Sequence, residues 1–212
     1  MFGSPKTLTF HYDQLGIDAD ILIMFEPTHE QALYKSLFPV TWKALSFPGT
    51  RSGRATVQYT GDTALLVPQT DREGMIVSTN AQHCHIGQKC VMETDSHGKN
   101  FLTSAESGIP GNIQCQVNTS NASDVGFGVF NGNKDDVEAI IKWDKVSVGN
   151  TISVPLNFNL KIYTNFGYQQ GQVIQDVMGL PLVFSKDINA LTESSDWAVS
   201  IDLSNSVHIT PI

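Results

Sequence analysis

The sequence predicts an all-β fold, an antiparallel β-sandwich with one short helix near residues 29–38. Three observations carry that prediction. Short runs rich in β-branched and aromatic residues recur along the chain, and Gly, Pro, Asn and Asp punctuate them. Tight-turn chemistry stands at Thr60-Gly61-Asp62, Asn131-Gly132-Asn133 and Val148-Gly149-Asn150, where Gly and Asn tolerate the positive φ that β-hairpins need.

Taken in order, the expected strands are LTFHYD, ADILIMFEP, VTWKALSFP, RATVQYTGD, ALLVPQ, GMIVST and QKCVMET in the first half. NIQCQVNT, VGFGVFNG, AIIKWDKVSV, TISVPLNFNLKIYTN, QVIQDVM, LPLVFS, WAVSIDLS and SVHITPI follow. The helix is expected from Thr28-His29-Glu30-Gln31, which fits a capping box with Thr28 as N-cap, ahead of ALYKSLF and the stop at Pro39. Its apolar positions Leu33, Leu37 and Phe38 would cover an edge or one end of a sheet.

A chain of 212 residues can build one good core, so a single β-sandwich-like domain over residues 1–212 is expected. No internal repeat or long linker interrupts it, and TSNASD at 119–124 is the most linker-like run. With 41% apolar, 9% aromatic and 16% charged residues the composition is that of a globular protein. Thirteen basic against twenty-one acidic residues give a net charge of −8 without any Lys/Arg cluster, which argues against nucleic acid and anionic membranes as partners. No signal-type segment and no run of the roughly 18 apolar residues a membrane helix needs is present, so a cytoplasmic location is expected. Cys84, Cys90 and Cys115 are too few and too oddly numbered for a disulfide framework, and Cys84 and Cys90 read as buried thiols. The sequons at Asn118 and Asn121 read as a polar loop, and a homodimer is plausible for a protein with sheet edges to protect.

Chemistry is concentrated at AQHCHIGQKC, residues 81–90. On a strand, His83 and His85 share one face while Cys84 points to the other. Two imidazoles so spaced can both reach a divalent metal if a neighbouring strand supplies a third ligand, for which His11, Asp13, Asp95 and His97 are candidates. The alternative is a solvated strand face. NGNKDD at 131–136 lacks the glycine position of a calcium loop and has Lys142 where the bidentate Glu belongs. The absence of GxSxG, GxGxxG, GK[ST] and HExxH motifs favours a binding protein over an enzyme, with no catalytic residue to name. Trp42, Trp143, Trp197 and Tyr59, each inside a strand-like run, are either core or the wall of a pocket for a flat organic ligand.

TWKALSFPGTRSGRATVQYTGD at 41–62, with IGQK at 86–89 and VSVGNTISVPLNF at 146–158, is similar to small β-rich mushroom fruiting-body proteins of the pink chromoprotein type. That resemblance implies a fungal, cytoplasmic, non-enzymatic carrier of a small aromatic chromophore of indolone type, and carries over no ligand-contacting residue. Beside this pigment-binding reading stand a carbohydrate-binding protein, with loop Asn/Asp such as NGNKDD reading hydroxyls, and a metalloprotein centred on His83 and His85.

Overall fold

The computed structural model describes residues 4–28, 32–165 and 167–212. Among them eighteen strands, numbered in chain order, form four sheets. The first runs β18 (Val207–Pro211), β17 (Ser194–Ile201), β1 (Lys6–Asp13), β5 (Ser52–Tyr59). The second runs β16 (Leu182–Asp187), β15 (Phe158–Thr164), β2 (Ala19–Pro27), β4 (Lys43–Phe47). In the third, β3 (Leu37–Pro39), β13 (Val137–Val146), β12 (Ser123–Phe130), β6 (Thr63–Thr70) and β7 (Ile76–His83) lie side by side. The fourth runs β10 (Glu106–Ser107), β8 (Gln88–Thr94), β11 (Ile113–Asn118), β14 (Thr151–Val154), with β9 (Asn100–Leu102) beside β8. The all-β prediction holds, and most pairings are antiparallel, with parallel exceptions at β1–β17 and β8–β11.

Side-chain periodicity explains how these strands are buried. In β1 the alternate residues Lys6, Leu8 and Phe10 point inward, and Phe10 meets Trp197 edge-on at 5.1 Å between ring centroids. β2 is buried on both faces: Ile21, Ile23 and Phe25 join one cluster, while Leu22 and Met24 join another with Tyr163 and Ile174. The larger cluster draws members from all four sheets, including Phe47, Leu65, Met92, Val117, Phe127 and Leu160. Such fully buried side chains each contribute about 1.5–3 kcal/mol by leaving water.

Three expectations are corrected. Of the expected helix, residues 29–31 lie outside the described residues; residues 32–36 are turn and bridge, and Leu37–Pro39 is strand β3. The cause is visible at Tyr34, whose φ of 58° is left-handed, and at Ala32, whose carbonyl accepts from the amides of Lys35, Ser36 and Leu37 in a closed turn. β3 then pairs with Ile141–Trp143, an edge position where Pro39 needs no amide donor. QVIQDVM at 172–178 forms only isolated bridges, between glycines of positive φ at Gly171 and Gly179. Finally, the turn at Thr60–Asp62 joins two different sheets, and the turn at Val148–Asn150 joins β13 to β14, which do not pair. Only the Asn131 turn closes a hairpin, β12–β13, and its left-handed residue is Lys134 (φ 60°).

Candidate functional site

Strand register brings together the one described group able to hold a metal. β6 and β7 pair with Ala64 opposite His83, and the ladder continues outward with the Cys84 amide donating to the Thr63 carbonyl at 3.1 Å. The Thr63 hydroxyl returns a bond to the Cys84 carbonyl at 2.6 Å. One further step of that register sets Asp62 opposite His85, with His83 on its diagonal, all on one face. Cys84, on the other face, is fully buried. The ligand atoms of Asp62, His83 and His85 consequently lie within 4.8 Å of one another.

Each member is held from behind. The Asp62 carbonyl accepts from the Phe130 amide at 2.8 Å, the Thr60 hydroxyl donates to the Phe130 carbonyl at 2.6 Å, and the Asp62 amide donates to the Thr60 hydroxyl at 3.3 Å. The Phe130 ring stacks on the His83 imidazole at 3.8 Å and 13° between planes. His85 stands where the chain turns: its amide donates to the Gln88 side chain at 2.8 Å and its carbonyl accepts from the Gln88 amide at 2.9 Å. His83 Nδ1 is 3.2 Å from Asp62 Oδ1, and Lys134 Nζ is 3.5 Å from Asp62 Oδ2. The Asp62 side chain is 17% exposed against 51% for His83, so the carboxylate forms the floor and the imidazole the open rim.

A tetrahedral ion with bonds of about 2.0–2.1 Å holds its ligand atoms about 3.3–3.4 Å apart. The Asp62–His83 separation of 3.2 Å lies close to that spacing, and the exposed His85 stands within 4.8 Å of both. Donors of two nitrogens and one carboxylate oxygen suit zinc, copper or nickel and leave a coordination position open to solvent.

The residue that joins His83 and His85 is Asp62, rather than any of the residues weighed from sequence. His11 Nε2 pairs with Asp196 at 2.7 Å, Asp13 accepts from the Ser52 hydroxyl, and Asp95 caps its own turn by accepting from the amides of His97 and Lys99 at 2.9 Å. His97 sits exposed in that same turn. Asp62 was legible as a turn residue; counting the ladder back from His83 would have exposed its second role.

The aromatic candidates are placed differently from a shared pocket wall. Trp42 is fully buried against Phe25 and Tyr59, at 5.1 and 6.3 Å between centroids, and its indole N–H donates to Glu138 at 2.7 Å. Tyr59 is also core, and burial pushes its hydroxyl up to about 12. Trp197 packs between Phe10 and Phe184 and borders a groove of about 260 Å³, while Trp143, half-buried on β13, pairs with Leu37. Large rings in a layered β core bury most area against each other, which is the physical reason Trp42, Tyr59 and Trp197 turn inward.

The three cysteines are free and fully buried, with Cys115 opposite Cys90 in the β8–β11 ladder. Burial pushes the Cys115 thiol up to about 12, so it is not a thiolate ligand at neutral pH. NGNKDD is a solvated turn in which Asn131 bonds Asp135, and Lys142 is a buried lysine paired with Asp124 and Asp144. A carboxylate missed from sequence, Glu26, is also buried, accepting from the Tyr34 and Tyr163 hydroxyls and pairing with Lys161.

No helix among the described residues is long and apolar enough to cross a membrane. No protein-family model, no curated protein and no solved structure matches the chain. Fold and site together define an all-β protein carrying an Asp–His–His group at a sheet end.

Proposed function

We propose that this chain is a binding protein for a divalent first-row transition-metal ion, held by Asp62, His83 and His85 with an open position for water or a second ligand. The observation that carries the reading is the convergence of these three side chains within 4.8 Å on one continued β-ladder. Burial of Trp42, Tyr59 and Trp197 removes support from an aromatic-lined pigment cavity built on those rings. Preference should follow donor type, with copper(II) tightest and zinc and nickel next.

Calorimetric titration of the chelator-stripped protein with zinc and with copper(II) tests the proposal. One ion per chain at micromolar affinity or tighter is expected, and His83→Ala and Asp62→Asn should each weaken it at least tenfold. Stoichiometric binding that survives both substitutions would move the ion elsewhere and sink the assignment. Because imidazole ligands must be neutral, affinity should fall on acidification.

A further inference from the structure

The outermost strands of two different sheets, β4 and β5, meet the β12–β13 hairpin around a cleft of about 570 Å³. Ligand clefts commonly enclose about 300–1,000 Å³, so this one has room for a small sugar. Lys43 and Glu138 line it as an ion pair whose side chains are only 18% and 13% exposed. The pair is held in place from behind: the Trp42 indole donates to the second Glu138 oxygen at 2.7 Å, and Lys43 Nζ lies 5.5 Å from the centre of the Trp42 ring.

That arrangement leaves hydrogen-bonding capacity unused. An ammonium has three N–H donors and a carboxylate four lone-pair sites; their mutual contact and the Trp42 indole leave two donors and two lone-pair sites. Across from them, the side-chain amides of Gln58 on β5 and Asn133 in the hairpin turn make no hydrogen bond among the described residues. Leu45 adds an apolar patch to the wall. The hairpin comes close: a Cβ added at Gly132 would meet Gln58 Oε1 at 3.0 Å.

We infer that this cleft binds a neutral, polyhydroxylated ligand of mono- or disaccharide size. A vicinal diol matches a Lys–Glu pair because one hydroxyl accepts from the ammonium while its neighbour donates to the carboxylate. Two free amides, each both donor and acceptor, read further hydroxyls, and the sugar's C–H face lies on Leu45. The cleft's charged lining sums to zero although the chain carries −8, so neither an anionic nor a cationic ligand is favoured there. None of its lining residues belongs to the Asp62–His83–His85 group, so the two sites stand or fall separately.

Saturation-transfer NMR with methyl glucoside, methyl galactoside, methyl mannoside and N-acetylglucosamine, each at about 10 mM in chelating buffer, matches the millimolar affinity typical of a few new hydrogen bonds. At least one neutral sugar should receive saturation. Gln58→Ala and Asn133→Ala, both at exposed positions and expected to unfold like wild type, should each weaken binding about fivefold, one hydrogen bond apiece. Absence of transfer to every neutral sugar, equal transfer in the double variant, or preference for glucuronate or glucosamine would overturn the assignment.

Discussion

Removing the buried Glu26 carboxylate should destabilise the protein by several kcal/mol. Its side chain is 7% exposed; Oε1 accepts from the Tyr34 hydroxyl at 2.7 Å and the Tyr163 hydroxyl at 3.2 Å, and Oε2 meets Lys161 Nζ at 2.5 Å. Burial, with help from Glu26, pushes both tyrosine hydroxyls well above their ordinary range, so they stay protonated donors at any physiological pH. Breaking a buried ion pair by removing one partner costs about 3–5 kcal/mol. Lys161 keeps 23% exposure and can be partly rehydrated, which places Glu26→Ala at the lower end, about 3 kcal/mol. Glu26→Gln retains an acceptor for the hydroxyls but loses the charge facing Lys161, and should cost about half as much. In a chain of this size each kcal/mol moves Tm by about 2–4 °C, so the Ala variant should melt about 6–12 °C lower. Urea unfolding followed by tryptophan fluorescence, with an unchanged slope, gives the free energies. A loss below about 1 kcal/mol for Glu26→Ala, or equal losses for Ala and Gln, would refute the reasoning.

Other consequences concern pH, packing and one orphaned hydroxyl. Tyr59 binds its proton more tightly folded than unfolded, so its share of stability is intact below pH 10.0 and is lost as pH rises toward about 12, a window worth on the order of 3 kcal/mol. Tyr59→Phe should flatten that part of the alkaline unfolding profile, and an unchanged profile would count against it. Thr41 Oγ1 is buried without a hydrogen-bond partner among the described residues, so Thr41→Val should leave Tm unchanged or raise it by removing a desolvation penalty of about 1–3 kcal/mol. A Cβ on Gly49 would stand 2.3 Å from the Ile17 carbonyl carbon, so Gly49→Ala should cost at least about 1–3 kcal/mol by chemical denaturation.

Strands were legible wherever alternation and turn residues agreed. ADILIMFEP and QKCVMET became β2 and β8 with the same bounds, the first as a continuous apolar run and the second by alternation that turns Cys90 and Met92 inward. The segment ALYKSLF misled because its apolar spacing also satisfies a strand edge, and Tyr34 adopts a left-handed conformation that no local propensity announces. Parallel pairing of β1 with β17 joins residues far apart in the chain, which local patterns do not encode. The same limit applies at the site. The face shared by His83 and His85 follows from period-two alternation alone. Asp62 enters only through the register between β6 and β7, and Phe130 and Lys134 only through the neighbouring hairpin.

The metal reading is tested most directly by following the imidazole nitrogens themselves. In ¹⁵N–¹H long-range correlation spectra of the chelator-stripped protein, one equivalent of zinc should shift the ring resonances of His83 and His85. Those of His11 and His208, engaged with Asp196 and Asp202, should stay in place. Unmoved His83 and His85 signals at saturating zinc would contradict the account, as would shifts confined to other histidines.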